Sequence, residues 1–343
     1  MLEVARAAGV SAATVSRVLA GVAGATSEDT AVSVRQTAAE LGYVVNAVAA
    51  GLRSQQTRSV GLVLADVSNP FFGQVASGVE NTLSDAGYSV ILVNTTNSIE
   101  QEKRLVRLLI EKRVEALVVA TSDDTGAHIR EVINLGMHVV LVDSELPGIK
   151  AESVVIDNVA LAQRAVEHLL DLGHLDIAIV TGRLEASSDS GRFLGYRRAL
   201  RRRGIDVNPQ YSVCGDLTFE GGRRVVQQLL KLPNRPTAIF VTNNEMTIGA
   251  LVAISDAGLS LPKDISLLGF DDMDWYRIAK PSITAVRQPP YDMGRLAAER
   301  LLASLRRKRQ SKPKRWLLNA ELIIRESTAA PPWRSRAQNQ KTA

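Results

Sequence analysis

Residues 9–19 read GVSAATVSRVL and predict a sharp turn followed by a short helix. Ser11 is the predicted N-cap, because a serine hydroxyl can accept a hydrogen bond from the first turn of a helix. Val15, Val18 and Leu19 follow at spacings of three and four residues, so they share one face of that helix. The opposite face carries four residues that are available to a partner: Ala12, Ala13, Ser16 and Arg17.

A second apolar stripe precedes this turn. Leu2, Val4, Ala5 and Ala8 follow helical spacing. Gly9 then supplies the backbone freedom that a sharp turn between two helices needs. Together the two segments predict a helix-turn-helix, whose second helix normally lies in a DNA major groove. On this segment alone, an ordinary pair of packed helices remains the alternative.

Capping residues indicate a third helix, from Ser27 to Leu41, with Gly42 as its C-cap signal. Residues 1–43 are therefore predicted to form an all-α helix-turn-helix headpiece, which is small enough to be marginally stable by itself. Residues 44–58 follow as a hinge or linker that is too short and too weakly apolar to form a stable isolated helix.

Composition sets broad limits on the partners of the chain. The 343 residues are 45% hydrophobic, which is enough for sizeable cores, and the formal charge of +5 favours an anionic partner. Residues 1–58 contribute little of that charge, since they hold five arginines against four acidic residues. One cysteine, Cys214, suits a reducing compartment. Neither a signal peptide nor an apolar run of about 18 residues is present, so we expect a cytoplasmic protein without a membrane partner.

From residue 59 onward, short β-branched runs alternate with amphipathic helices such as 73–86, 100–112 and 158–172. The strand candidates are nearly continuously apolar, as strands buried on both faces should be. They begin at Ser59, Ser89, Ala116, His138, Ile177, Ala238 and Ile265, and WLLNAELIIRE from Trp316 is predicted as one last strand. This pattern predicts an open parallel α/β core with too many strands for one sheet, hence two doubly wound subdomains.

Three runs of sequence together resemble the lactose/galactose repressor (LacI/GalR) family. They are GVSAATVSRVLAG at 9–21, AAELGYVVNAVAAGLRS at 38–54 and SVGLVLADVSNPFF at 59–72, and the resemblance extends to about Arg325. It implies a periplasmic-binding-protein-like core at 59–328, in which the chain crosses three times between the subdomains.

We place the three crossings near Asp157, Ala285 and Trp316. The first subdomain then comprises residues 59–156 and 285–315, and the second comprises 157–284 and 316–328. A basic loop at 306–315 is interpreted as a solvated surface. Residues 329–343 are predicted to be a disordered tail.

On the DNA side, the resemblance assigns base contacts to Arg17, Ser16, Ala12 and Ala13, and phosphate contacts to Ser11 and Asn46. An arginine can donate two hydrogen bonds to a guanine edge. In the family the hinge becomes helical only on specific DNA, where a leucine wedges into the minor groove, and Leu52 occupies that position. Gly51 is less favourable for a helix than the residue usual in the family. A plain linker is the alternative for this segment.

On the ligand side, the resemblance assigns a pocket to residues that follow strands or begin helices: Phe72, Ser188, Arg192, Asn243 and Asp271, with Trp275 at the rim. This set suits sugar hydroxyls or another small polar metabolite, and an aromatic ring offers a stacking face. Singly, Phe72 could instead be core, Asn243 a turn residue and Asp271 a helix cap. Leu217 and Asn244 depart from the family, which usually has an aromatic residue and an aspartate there.

The sequence therefore predicts a homodimeric, sequence-specific transcriptional regulator, a repressor controlled by a small-molecule effector. Its operator would be pseudo-palindromic double-stranded DNA. We find no nucleophile elbow or phosphate-binding glycine loop, and the four histidines lack metal-ligand spacing, so we expect no catalytic site, cofactor or metal. A solute-binding protein with the same core and an α/β enzyme using the same cleft remain the alternatives.

Overall fold

The computed structural model describes residues 1–19, 22, 24–43, 57–123, 125–306 and 312–331. The chain divides into two units, Met1–Arg58 and Ser59–Ala343. Most of the hinge lies outside the described residues, and so do the two contacts proposed within it, Asn46 and Leu52.

The described residues of the first unit form three helices, as predicted: α1 (Leu2–Ala7), α2 (Ala12–Leu19) and α3 (Glu28–Glu40). Gly9 and Gly42 have φ values of 65° and 60°, the left-handed conformation that favours glycine after a helix. The Ser27 hydroxyl caps α3 by accepting from the Thr30 amide. Val4, Val15 and Val34 are almost fully buried and close the small core of this unit.

The second unit contains two six-stranded sheets, which confirms the predicted pair of subdomains. The first sheet is parallel throughout, with the order β11-β5-β4-β3-β1-β2. Its strands are β1 (Ser59–Leu64), β2 (Ser89–Asn94), β3 (Ala116–Val119), β4 (His138–Val142), β5 (Glu152–Ile156) and β11 (Arg315–Leu318).

The second sheet has the order β12-β10-β9-β8-β6-β7 and is parallel except for β12, which runs antiparallel to β10. Its strands are β6 (Ile177–Thr181), β7 (Ser212–Cys214), β8 (Ala238–Val241), β9 (Ser266–Phe270), β10 (Thr284–Arg287) and β12 (Glu321–Ile323). Every residue of β6, β8 and β9 is buried, in line with strands covered on both faces.

Helices cover both faces of each sheet. They are α4 (Pro70–Asp85), α5 (Ile99–Glu111), α6 (Ala127–Asn134), α7 (Asn158–Leu172), α8 (Ser187–Arg202), α9 (Phe219–Leu230), α10 (Asn244–Asp256), α11 (Asp274–Ile278) and α12 (Pro290–Leu305). Gly78 of α4 and Gly294 of α12 let these two helices approach closely, since a Cβ on either would meet backbone atoms of the other. Within the described ranges, none of the helices has the length and apolarity to cross a bilayer.

Two of the three crossings lie a few residues later than the positions near which they were predicted. Ala285 lies inside β10 of the second sheet, so the second crossing follows Arg287. Trp316 lies inside β11, which pairs with β5 in the first sheet, so the third crossing falls between Leu318 and Glu321. The predicted last strand is therefore two strands of different sheets. The turn between them lies at Asn319 and Ala320, which the prediction had included in the strand.

The carboxyl-terminal boundary also lies later than predicted. The Ala329 carbonyl accepts a hydrogen bond from Nε2 of the buried His174 at 2.8 Å, and the Ala329 amide donates to the Ser266 hydroxyl at 3.1 Å. Residue 329 is thus tied to the second sheet rather than being the start of a disordered tail. Residues 332–343, like 307–311 of the basic loop, lie outside the described part of the chain.

Candidate functional site

The exposed face of α2 presents the residues predicted to contact a partner. The Ser11 hydroxyl accepts from the Thr14 amide at 3.1 Å, which fixes the start of the helix. Val15 and Val18 turn into the core of the first unit, with 0% and 5% exposure. Arg17 is therefore held on the solvent side.

The members of this face differ in exposure. Ser11, Ala13 and Arg17 are exposed, whereas Ala12 is partly buried because it packs on the core of the first unit. Arg17 Nε lies 3.4 Å from the Ala13 carbonyl, so the guanidinium extends along the helix surface. Arg35 of the same unit is paired with Glu28 at 2.8 Å. Arg17 is the exposed cationic side chain of α2, the helix that is predicted to lie in the DNA major groove.

A cavity lies in the second unit at the carboxyl ends of strands from both sheets. Its lining from the first sheet follows β1, β2 and β4, and its lining from the second follows β6, β7, β8, β9 and β10. Open parallel sheets bind ligands at this edge. About 460 Å³ of space, open solvent included, lies between these lining residues.

The structure brings five of the six predicted ligand-binding residues into this one cavity: Phe72, Ser188, Arg192, Asn243 and Asp271. Trp275 is not part of the lining. It packs edge-on against Tyr276, with ring centroids 4.3 Å apart, and contacts the core instead. The remaining lining residues were not predicted: Asp66, Asn69, Phe71, Asn97, Asp143, Asp189, Leu217 and Gln288.

Arg192 is the buried cation of the cavity. Its Nε donates to Asn158 Oδ1 at 2.9 Å, and its Nη1 donates to the Thr242 carbonyl at 2.7 Å. The guanidinium also lies over the Phe270 ring, 3.9 Å from the centroid. With 4% exposure, it is fixed in place before any ligand arrives.

Asn243 and Asp271 line the cavity and also make hydrogen bonds within the protein. The Asn243 side chain caps α10 by accepting from the Met246 amide at 2.8 Å, and its Nδ2 donates to the Leu217 carbonyl. Asp271 accepts from Gln288 Nε2 at 2.6 Å. The capping alternative for Asn243 therefore holds together with its position in the cavity lining.

Four lining residues adopt the left-handed backbone conformation. Asn97, Asp143, Leu217 and Asp271 have φ values between 56° and 66°. Asparagine and aspartate tolerate this conformation, but for leucine it costs about 1 to 2 kcal/mol. Such strain concentrates at functional sites, where the surrounding structure holds it. It is a sign of function that only the structure reveals.

One carboxyl oxygen of Asp143 lacks a hydrogen-bond partner among the described residues of the cavity. This oxygen, Oδ1, is also inaccessible to solvent. Burial raises the pKa of Asp143 from 3.8 to about 7; Arg192 opposes this rise, and Asp271 and Asp189 add to it. The folded state therefore holds a proton on Asp143 at pH values where the unfolded chain has lost it.

We predict that Asp143→Asn stabilises the second unit in alkaline solution. Stability linked to a raised pKa is present in acid and is lost as the pH rises through the folded-state value. Between pH 5 and pH 8 the advantage of the variant over the parent should therefore grow by about 2 to 3 kcal/mol. Thermal unfolding at both pH values measures it, with the exposed Asp256→Asn as control. A pH-independent difference would contradict the assignment.

Direct contacts join the two subdomains at the mouth of the cavity. Asn69 and Asn244 exchange two side-chain hydrogen bonds of 2.9 and 3.1 Å, and both residues are buried. The Glu145 amide donates to the Ser187 hydroxyl at 2.7 Å. These contacts connect segments that follow β1 and β4 of the first subdomain with the starts of α8 and α10 in the second.

Comparison with known proteins finds a matching family model in each of the two units. Residues 1–46 match the family model described as bacterial regulatory proteins, lacI family, and residues 166–328 match the periplasmic binding protein-like domain. The HTH-type transcriptional repressor CytR of Escherichia coli is 36% identical over 333 residues, which cover 97% of each chain.

Two solved structures are also similar to the chain. A Lac repressor dimer bound to operator and the anti-inducer ONPF is 29% identical, with a TM-score of 0.85 over 96% of this chain and 99% of that one. The complex of the transcriptional regulator CelR with cellobiose is 28% identical, with a TM-score of 0.73 over 95% and 98% of the respective chains.

Proposed function

Because this chain belongs to the lacI family of bacterial regulatory proteins, we propose that its first unit binds an operator and that a small polar effector in the cavity controls this binding. It is a DNA-binding transcriptional regulator, and the family is one of regulators rather than enzymes. The observation that carries the proposal is that one chain combines an exposed Arg17 on α2 with five predicted ligand residues around one cavity.

Arg17 is the proposed base-reading residue. An arginine that donates to O6 and N7 of guanine contributes about 1 to 3 kcal/mol of discrimination. Ala12 and Ala13 have no polar side-chain groups, so they can only contact thymine methyl groups or leave space between the helix and the base edges. Ser16 completes the base-contacting set, and Ser11 is proposed to contact phosphate, which positions the helix without specifying a base.

We propose that the protein acts as a homodimer on a pseudo-palindromic operator, and the similar Lac repressor structure, a dimer bound to operator, supports this. A single three-helix headpiece buries too little surface for the affinity that specific DNA binding requires. We propose that the inner helices of the second unit, including α4, form the dimer interface. We further propose that the protein works in the cytoplasm, because its partner is operator DNA and its one cysteine suits a reducing compartment.

We propose that the hinge carries two further DNA contacts, Asn46 to phosphate and Leu52 in the minor groove. Leu52→Ala should weaken operator binding by at least tenfold while leaving non-specific binding nearly unchanged, because the wedge is useful only where the duplex is kinked. Fluorescence anisotropy with operator and scrambled duplexes measures both affinities. Equal losses of affinity for the two duplexes would contradict the proposed role of Leu52 in the minor groove.

Effector control is proposed to act through the cleft. A ligand that binds one arrangement of the subdomains more tightly increases the population of that arrangement. The angle between the subdomains then changes. Phe72 from the first subdomain and Arg192, Asn243 and Asp271 from the second are the proposed contacts. The family includes a regulator solved with cellobiose, which supports a sugar or a related polar metabolite as the effector.

Genomic selection tests the proposed function. Full-length protein is mixed with fragmented genomic DNA, and the retained fragments are sequenced. We expect a small set of fragments that share one pseudo-palindromic motif. Retention of fragments without a common motif would contradict a sequence-specific regulator.

A further inference from the structure

The carboxyl-terminal half of α8 carries a dense run of positive charge. Five of the seven residues 197–203 are arginines, and all five are exposed. The whole chain has a formal charge of +5, whereas residues 1–58 hold five arginines against four acidic residues. Most of the excess positive charge therefore belongs to the second unit, on a surface to which the proposed function assigns no role.

Acids of the adjoining helix α7 match only part of this charge. Arg202 lies 3.0 Å from Glu167. Arg203, which follows the end of α8, pairs with Asp171. For the other three arginines, no carboxylate among the described residues lies within ion-pair distance. We call these three residues the arginine face: Arg197, Arg198 and Arg201.

The stability of α8 does not account for the arginine face. A cation near the carboxyl end of a helix complements the helix dipole, but this effect falls off within the last turn. Arg197 and Arg198 lie more than one turn before the last residue of α8. Like charges three or four residues apart also repel each other on a helix surface, as those of Arg197 and Arg201 do. The face therefore destabilises its own helix, which favours a role in binding an anionic partner.

The composition of this surface is typical of an interface with nucleic acid. Cores of protein–protein interfaces are depleted in charged residues and enriched in aromatic ones, whereas DNA interfaces are more polar and strongly positive. Leu194, at 38% exposure, is the one apolar residue among the exposed residues of α8. Phe193 is half-buried and Tyr196 is fully buried. Single strands need exposed aromatic rings on which their bases stack, so the face suits a duplex instead.

We propose that the arginine face is a second DNA-binding surface, which contacts the phosphate backbone of a duplex without reading its sequence. Arg201 follows Arg197 by four residues and Arg198 by three, so the three side chains project from one side of α8. Each guanidinium can donate two parallel hydrogen bonds to a phosphate group. Because the face belongs to the second unit, its binding of DNA does not depend on operator recognition by α2.

Fluorescence anisotropy tests the proposal on the full-length protein, with a labelled duplex of about 20 base pairs and arbitrary sequence. The variant R197Q/R198Q/R201Q removes the arginine face. The matched control R104Q/R107Q/K112Q removes three exposed positive charges on α5 and at its C-cap. Binding of the duplex by the first unit contributes equally to all these proteins, because none of the substitutions lies in it.

Each phosphate contact adds about 0.9 to the slope of log affinity against log salt concentration. We therefore expect the arginine-face variant to bind at least tenfold more weakly at about 50 mM salt, with a slope smaller by about 2 to 3. The control should stay within about twofold of the parent. R197K/R198K/R201K keeps the charge and should retain most of the affinity, because lysine binds phosphate as a point charge.

R198Q alone, with an expected slope smaller by about one, serves if the triple variant fails to fold. Unchanged affinity and slope in the arginine-face variants, or an equal loss in the control, would overturn the proposal. A loss in the lysine variant as large as in the glutamine variant would overturn it as well. Tighter binding of polyglutamate or of a single strand than of the duplex, abolished by R197Q/R198Q/R201Q, would assign the face to an acidic protein or to unpaired nucleic acid instead.

Discussion

Arg17→Ala is expected to abolish operator discrimination while leaving the core intact. Each bidentate arginine–guanine contact contributes about 1 to 3 kcal/mol, and a homodimer makes the contact once in each half-site. The ratio of operator to scrambled-duplex affinity should therefore fall by about 30-fold or more. Effector-induced thermal shifts should stay at the parent value, because Arg17 belongs to the first unit.

Arg6→Ala is the matched control for this prediction. Arg6 is exposed on α1 of the same unit, so its removal causes the same loss of charge outside the proposed base-reading face. A phosphate contact weakens binding to all sequences alike and lowers the salt dependence by about one unit of slope. If Arg17→Ala behaves in that uniform way, Arg17 positions the headpiece and another residue discriminates between bases.

Arg192→Ala is expected to destabilise the second unit by about 3 to 5 kcal/mol, since breaking a buried charge network leaves its partners without compensation. The melting temperature should fall by roughly 10 °C. The deficit should be larger at pH 8 than at pH 5. Without Arg192, the pKa of each buried carboxyl group rises further, and the stability tied to a raised pKa is lost as the pH increases.

Arg197→Ala provides the control on the same helix. Arg197 is exposed on α8, with its guanidinium 5.9 Å from the Phe193 ring, and its loss should change stability by less than about 0.5 kcal/mol. Denaturant unfolding of both variants at the two pH values gives the comparison. Equal, pH-independent losses would show that the acids do not depend on Arg192 for compensation.

Local patterns predicted the helices and the long strands well. The spacing of Val15 and Val18 correctly identified the buried face of α2. All seven strand candidates between Ser59 and Ile265 are strands, because each is a continuous apolar run long enough to cross a buried sheet. In contrast, β5, β7 and β10 were not among the candidates, and β12 was merged with β11 into one predicted strand.

Contacts between distant parts of the chain were beyond sequence reasoning. The resemblance placed Phe72 and Arg192 in one pocket, but it gave no sign of the acidic group formed by Asp143 and Asp189. Both have local signals in hindsight, since Asp143 directly follows β4 and Asp189 lies one turn before Arg192 on α8. Their meaning depends on sheet pairing and burial, which a linear pattern does not encode.

The crossing positions and the location of Trp275 were predicted inaccurately for related reasons. Sheet membership depends on non-local pairing: β11 pairs with β5, far earlier in the sequence, although it lies next to β12 of the other sheet along the chain. Gln288 was overlooked for the same reason, because it becomes a lining residue only where the chain leaves the second sheet. Trp275 lies in the short helix α11 after Asp271, and its ring packs against Tyr276 rather than facing the cavity.

Effector-dependent operator binding is the central claim, and one titration tests it most directly. A fragment recovered by genomic selection is titrated with full-length protein, beside a scrambled fragment, in the absence and presence of a sugar that raises the melting temperature of the core. We predict retardation of the selected fragment at far lower protein concentrations, with a midpoint that the sugar shifts several-fold. Equal retardation of both fragments, or a sugar that binds the core without moving the midpoint, would contradict it.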